Sequence, residues 1–436
     1  MGKTKQKCSK CGCGLTNPDS KKDATCRDCY MKEPFVPNGK NDFDRLIEII
    51  DHYFPGEGEP FRLMLSAYLG VFAADASQPI ALWFIAPPST RKSTLMDIIS
   101  ELPRIERHHD FSPRAFVSAA PGIEDGSRED LLPKLKDKLL VTDELGAWFR
   151  SRSLKETMGI FTKVLDGKGF SYATGRGQVG YNGYYFFNWI AGIVRIEPKL
   201  WSIFGHLGHR ILFYDKTPKR QSTKELAKEF DDLMTKGRDI TPKLEICQQA
   251  TIAFVKSLKL DPSKKIKFND QKSDTDALAL IKNCGLTLRI LRATIDIESG
   301  ELVDLTTEAP WRVWNQFTGL AKGSAIGYHR NYLTKHDVIS TVKITMDSVP
   351  KERKTFFEAL AKADGSVTIS QYMQHSKLSR PAALKQFQIM EYIGLVSLDT
   401  QKVEPTGRPE TVATIVDDHF TLLQILTPSP TVKVEN

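Results

Sequence analysis

Apolar residues recur at helical spacing in DFDRLIEIIDHYF (42–54), and the pattern stops at Pro55-Gly56. The period predicts an amphipathic helix, and the Pro-Gly step ends it. FRLMLSAYLGVFAADA (61–76) predicts a second helix. IALWFIA (80–86) is different, because it is almost continuously apolar over the length of a strand. Such a run is expected of a strand buried on both faces. LLVT within 134–148, YYFFNWIAGIV (184–194) and ILFY within 200–214 share that character. Strands alternating with helical segments predict an α/β domain.

The last quarter of the chain changes rhythm. Residues 351–398 read as helix, short strand, helix, turn, helix. Ser379 is placed as an N-cap, Pro381 lies in the first turn, and Gly394 ends the helix. LVSL and ETVATIV (410–416) follow as two strands around TGRPE, which makes a winged-helix pattern. In DNA-binding examples the last helix enters the major groove. Arg380, Lys385 and Gln388 would face it, and Arg408 would lie in the wing. Residues 350–436 carry ten basic and ten acidic side chains, a net charge of zero. That balance leaves protein docking or a structural role open for this module.

The first 29 residues hold five of the seven cysteines. Cys8 and Cys11 form one C-x-x-C pair, and Cys26 and Cys29 form another. Four thiolates so paired suit tetrahedral Zn2+, and metal would supply the folding energy of so short a segment. Cys13 lies nearby, but Cys11 fits the pair spacing better. Cys247 and Cys284 are isolated and read as buried structural thiols. The module resembles the zinc ribbons attached to replication and transcription proteins, which bind nucleic acid or protein. Residues 34–40 then read as a linker broken by prolines and an Asn-Gly step.

APPSTRKSTLMDIIS begins at the end of the strand IALWFIA. A strand, a tight turn and a helix form the setting of a phosphate-binding loop. Aligned on Lys92 and Ser93, the two glycines of G-x-x-x-x-G-K-[ST] fall on Ala86 and Arg91. Pro87, Pro88, Ser89 and Thr90 fill the loop, and Lys92, Ser93 and Thr94 open the helix. Lys92 would sit against ATP phosphates, and Ser93 would ligate Mg2+. LLVT ends in Asp143-Glu144, at the strand end where α/β sheets bind ligands. Asp143 would hold the metal, and Glu144 would polarise the attacking water.

These elements, with the strand 184–194 and His209-Arg210 before ILFY, follow the order of an AAA+ ATPase. The stretches 102–119, 131–144, 165–194 and 204–214 resemble AAA+ proteins related to minichromosome-maintenance and superfamily-three helicases of mobile elements. The resemblance runs from about residue 42 to 425. It implies a P-loop ATPase core over 41–220, a helical lid over 221–348 and a winged helix over 349–425, followed by a disordered tail at 426–436. It implies that Arg210 is a finger reaching a neighbouring subunit's nucleotide, and that Arg312 takes the sensor-two role. Thr334 and Asp337 start the next lid helix as a local cap. A polar sensor-one residue is expected near Val194. That position is apolar, and Asn188, six residues earlier, is the polar candidate. In related hexameric helicases a hairpin before this strand tracks DNA in the pore. Arg176 and Tyr181 are therefore candidates for phosphate contact and base stacking, with an ordinary β-hairpin as the alternative.

Composition narrows the function classes. The chain is 41% hydrophobic, enough for packed cores, which excludes disorder throughout. No apolar run approaches the ~20 residues of a membrane span. MGKTKQKCSK has no apolar segment of the secretory kind, so a cytoplasmic, nucleoid-associated protein is expected. The net charge is +8, of which residues 1–40 carry nine basic and four acidic groups. The remaining body is near neutral. The expected function is a DNA-binding, helicase-like ATPase acting in replication of a mobile element, assembled as a homo-oligomer, in expectation a hexamer, with replication or transposition proteins as further partners. A nucleotide-gated adaptor that does not hydrolyse ATP is the first alternative. A zinc-containing transcriptional regulator is the second.

Overall fold

The computed structural model describes residues 31, 33–39, 41–76, 78–88, 90–118, 129–149, 154–175, 177–197, most of 200–217, short pieces of 223–231, 239–298, 301–401 and 409–426. The cysteines of the N-terminal module (Cys8, Cys11, Cys26, Cys29), and Ser89, Arg176, His209, Arg408 and the tail beyond 426, lie outside the described residues.

Two helices, α1 (Asp42–Tyr53) and α2 (Gly58–Gly70), precede β1 (Ala81–Ile85). Then come α3 (Lys92–Ile99), β2 (Ile105–His108), β3 (Leu139–Thr142) and α4 (Leu154–Val164). A hairpin of β4 (Gly169–Thr174) and β5 (Gly177–Asn182) leads to β6 (Asn188–Ile193) and β7 (Ile211–Asp215). Strands β2-β3-β6-β1-β7, in that order, form one parallel sheet. The chain is thus mixed α/β around a central parallel sheet. The expected strands over 80–86 and 184–194 are present but shorter. Tyr184 to Phe187 lie before β6 rather than in it.

The apolar runs bury both faces of this sheet. Leu82 and Phe84 of β1 pack in one hydrophobic cluster, and Ala81 and Trp83 pack in the other. The second cluster is aromatic. Trp83 meets Trp189 at 5.4 Å between ring centroids, and Trp148 stacks on Phe161 at 4.8 Å. The first cluster does not stop at the sheet. It continues through Phe254 and Phe317 to Phe356, Tyr372, Phe387 and Ile415.

The segment expected to be a helical lid is helical in α5 (Thr241–Ser257), α6 (Thr275–Leu291), α7 (Trp311–Gly327), α8 (Lys335–Val338) and α9 (Ser340–Asp347). It also contains an antiparallel hairpin, β8 (Thr294–Glu298) with β9 (Glu301–Thr306), which corrects the all-helical expectation. Thr334 and Asp337 form the expected capping box of α8. Helix α7 crosses α2 at backbone contact. A Cβ on Gly323 would come within 1.8 Å of the Ser66 carbonyl oxygen, so only glycine fits there. The sheet edge at β7 is closed by side chains. The amides of Phe213 and Asp215 donate to Ser348 Oγ at 2.8 Å and Asp347 Oδ2 at 2.9 Å. The Asp347 carboxylate is buried, and Lys343 and Lys354 pair with it at 2.6 and 2.8 Å.

The C-terminal part has α10 (Lys351–Lys362), β10 (Ser366–Thr368), α11 (Ile369–Ser376), α12 (Arg380–Tyr392), β11 (Val396–Gln401) and β12 (Glu410–Ile415). Its three strands pair antiparallel in the order β10-β12-β11. Gly394 ends α12 at φ +74°. Ser379 occupies the N-cap position of α12 with extended backbone, without a side-chain cap bond.

Candidate functional site

Strand β1 ends in the loop Ala86 to Arg91, and α3 starts at Lys92. The two missing glycines have different consequences. Ala86 is fully buried, and its amide donates to the Ile193 carbonyl at 3.0 Å, so the β6 end anchors the loop. Arg91 sits at φ 60° and ψ 20°, the left-handed conformation that glycine adopts most easily. The loop keeps that backbone shape with an arginine, at a cost of about 1–2 kcal/mol. Inside the loop, Thr90 Oγ1 donates to the Pro87 carbonyl at 2.6 Å.

Lys92 is 8% exposed, and its Nζ lies 3.0 Å from Glu144 Oε2. Glu144 Oε1 accepts from the Gly146 amide at 2.9 Å. The loop lysine and the acidic pair therefore meet at the carboxyl end of the sheet, although 52 residues separate Lys92 from Glu144. Gly192 on β6, which lies between β1 and β3, makes room for them. A Cβ there would stand 2.3 Å from the Asp143 carbonyl oxygen and 3.3 Å from Lys92 Cδ.

Asp143 has partners that sequence reading missed. Arg107, at the end of β2, donates Nε to Oδ1 at 3.0 Å and Nη2 to Oδ2 at 2.9 Å. Its third nitrogen donates to Asp97 Oδ1 on α3 at 2.6 Å. His109 Nδ1 lies 2.8 Å from Asp143 Oδ2. Burial alone would raise the Asp143 carboxyl, but Arg107 and then His109 outweigh it and hold the pKa below the ordinary range. A second missed pair supports the loop from beneath. Lys216, just past β7, pairs with Glu57 and donates to the Thr90 carbonyl at 3.2 Å. Both side chains are nearly buried. Burial pushes the Glu57 carboxyl up and the Lys216 ammonium down, and their attraction offsets only part of it.

Asn188 requires a correction. It starts β6, and parallel pairing sets its neighbour Trp189 opposite Ala81, at the amino end of β1. The loop is at the other end, roughly 15 Å away at strand rise. Asn188 is fully buried. Its Nδ2 donates to the Ala67 carbonyl at 2.7 Å, and its Oδ1 accepts from the Ile80 amide at 2.9 Å. It joins α2 to the sheet and has no place beside a nucleotide at the loop. Val194, at the carboxyl end of β6, is exposed and apolar.

Arg210 and Arg312 also lie at the amino end, and they share one acid. Arg210 contacts Asp166 at 3.1 and 3.3 Å, and Arg312 Nη2 contacts Asp166 Oδ1 at 3.3 Å. Arg312 also pairs with Glu308. Burial and then Arg210 lower the Arg312 pKa.

Tyr181 on β5 packs inward. Its hydroxyl donates to Asp130 Oδ2 at 3.1 Å, and its ring lies 5.8 Å from that of Tyr185. This anchored ring corrects its reading as a free stacking platform. The exposed aromatic nearby is Tyr184, stacked on Phe186, with Lys136 Nζ 5.8 Å from its ring centroid. Arg380, Lys385 and Gln388 are exposed along α12, as expected. Cys247 and Cys284 are buried free thiols, with pKa values pushed up by burial to about 12 and about 11.

No protein-family model matches this chain, and no curated protein matches it. Among the described residues no helix is long and apolar enough to cross a membrane, and no group of three or more His, Cys, Asp or Glu side chains is placed to hold a metal.

Proposed function

We propose that the chain is a DNA-binding, AAA+-type nucleoside triphosphatase, helicase-like, that works as an oligomer. The observation that carries the reading is the meeting of Lys92 with Glu144 at 3.0 Å, beside Asp143, at the carboxyl end of the parallel sheet. The donor set fits a nucleotide with magnesium. It offers a poorly solvated ammonium, the Ser93 and Thr94 hydroxyls at the start of α3, two carboxylates and a glycine that clears the floor. Lys92 would neutralise phosphate charge, Ser93 and Asp143 would hold the metal, and Glu144 would orient and deprotonate water. Bound magnesium would supply charge neutralisation on the phosphate oxygens. Arg210 and Arg312 sit at the sheet end away from their own loop, as suits groups that act on a neighbour's nucleotide. The strand-and-helix order of residues 351–415 supports a winged helix. The two C-x-x-C pairs support a zinc ribbon, Cys8 and Cys11 with Cys26 and Cys29.

A second reading is a nucleotide-gated adaptor without efficient turnover. Arg107 favours it, because its fork already occupies both oxygens of Asp143. ATPase assays with and without DNA separate the two, comparing the parent with Lys92→Ala and Glu144→Gln. DNA-stimulated turnover lost in both variants supports the motor. Tight ATP binding without turnover sinks the motor and supports the adaptor.

A further inference from the structure

The near-neutral body of the chain hides a concentrated positive surface at the amino end of the sheet. Residues 256–267 contain five lysines and one aspartate. This segment is pinned to the core. The Ile266 amide donates to the Phe72 carbonyl at 2.8 Å, and Lys265 donates to Asp137 Oδ1 at 2.6 Å. Arg104 joins it by donating to the carbonyls of Asp137 at 3.0 Å and Pro262 at 3.3 Å. These Arg104 bonds go to neutral acceptors, so they leave its charge unneutralised. Among the described residues neither Lys256 nor Lys259 has a carboxylate partner, and Glu101 is the one acid at the rim.

Within this surface lies a cavity of about 500 Å³. Phe72, Leu102, Ile252 and Leu260 line its apolar interior, and Arg104, Lys256 and Lys259 stand at its lips. Tyr68 lines it too. That tyrosine is 1% exposed, and among the described residues its hydroxyl has no hydrogen-bond partner. A buried unpaired hydroxyl costs stability, so a ligand acceptor is a physical reason for it. A cavity of this size, apolar inside and ringed by a few polar groups, is in the range of ligand sites.

We propose that this cavity takes a nucleobase of single-stranded nucleic acid, with the flanking phosphates on Lys256, Lys259 and Arg104. The chemistry matches on three counts. The interior suits the faces of a planar base, the Tyr68 hydroxyl can donate to a base carbonyl, and the lips are cationic where a phosphate backbone is anionic. Tyr184 and Lys136 extend the same surface, because Lys136 precedes Asp137, which binds Lys265 at 2.6 Å, and the Lys136 Nζ lies 5.8 Å from the Tyr184 ring centroid. The partner's identity rests on the reading that this chain works on DNA, and the test separates the two.

The test is fluorescence anisotropy of a labelled oligothymidylate on the full chain, with binding of a fluorescent ATP analogue as the parallel readout. Lys256→Glu with Lys259→Glu, and separately Ile252→Trp, which fills the cavity and keeps the charge, should each weaken DNA binding about tenfold. Binding of the ATP analogue should not change. Tyr68→Phe gives a signature that a structural role would not. It should raise the melting temperature, by removing the orphan hydroxyl, while weakening DNA binding a few-fold. Sensitivity to charge reversal without sensitivity to Ile252→Trp or Tyr68→Phe overturns base insertion. Parent-like DNA binding in every variant overturns the site and leaves the DNA reading standing. A parent chain that binds the ATP analogue but no oligonucleotide overturns both. Saturable binding of decanoate by such a chain would assign the cavity to amphiphilic carboxylates instead.

Discussion

The two ends of one parallel sheet use charge and polarity in opposite ways. At the carboxyl end, polar side chains pair mainly with one another: Lys92 with Glu144, and Asp143 with Arg107 and His109. In such pairs a ligand's groups can take the place of a side chain. At the amino end, buried polar side chains next to the strand starts hold backbone instead. Asn188 ties Ala67 to Ile80, Gln316 donates to the Pro79 and Arg210 carbonyls, and Arg292 donates to the Ile211 carbonyl. Exchangeable pairs suit a site, whereas backbone ties suit a foundation. The same residue types do both jobs, and only their partners tell them apart.

Substitutions at the two ends should therefore separate stability from affinity. The largest expected effect is on the foundation. Asn188→Ala leaves the buried Ile80 amide and Ala67 carbonyl unpaired and should cost about 3 kcal/mol in urea unfolding. The folded fraction should bind nucleotide as the parent does, and a selective loss of affinity would break the comparison. Gly192→Ala comes next. Its Cβ would collide with the Asp143 carbonyl, which should cost about 1–3 kcal/mol and also lower nucleotide affinity, read by equilibrium binding. Asp166→Ala removes the acid that Arg210 and Arg312 share and leaves Glu308 with Arg312. Because the group is partly exposed, about 1 kcal/mol is expected, without change in nucleotide affinity.

The smallest effect is at the carboxyl end and depends on pH. Folding lowers the Asp143 pKa below its ordinary value of 3.8. Its contribution is thus present above that value and fades as the pH falls through the lower folded value. Arg107→Gln should reduce this acid-induced loss, measured as the change in melting temperature below about pH 4. An unchanged acid limb would show that the Arg107 fork contributes nothing to folding.

The sequence was most legible where residue type, spacing and setting agreed. The continuous apolar run before Lys92 and the acids after LLVT located the crevice, because a buried parallel strand must deliver its carboxyl end there. Arg91 was read as a lost glycine. The backbone at that position kept the left-handed turn, which composition alone cannot reveal. Asn188 was misplaced because a polar residue in an apolar strand was read by type, whereas register decides which end it serves. The hairpin of β8 and β9 was legible in the alternation of TIDIE and LVDL around Ser-Gly, but the helical expectation for the lid outweighed it. Arg107 was hidden in the charged run RIERHH, where nothing marks one cation as the partner of an aspartate 36 residues later. The basic surface around Lys256 and Lys259 vanished in a net charge that averages over the whole body.

The closure of β7 by Ser348 and Asp347 bears on how copies of the chain can meet. An outermost strand normally offers a row of free amides to any passing chain. Here two of those amides are occupied by side chains. A neighbour arriving on that flank finds little with which to extend the sheet. Assembly there must proceed through side chains, which can be released and remade, rather than through a continuous ribbon shared between subunits. The same aspartate, gripping Lys354 of the C-terminal part, guards the flank against fibre-like growth.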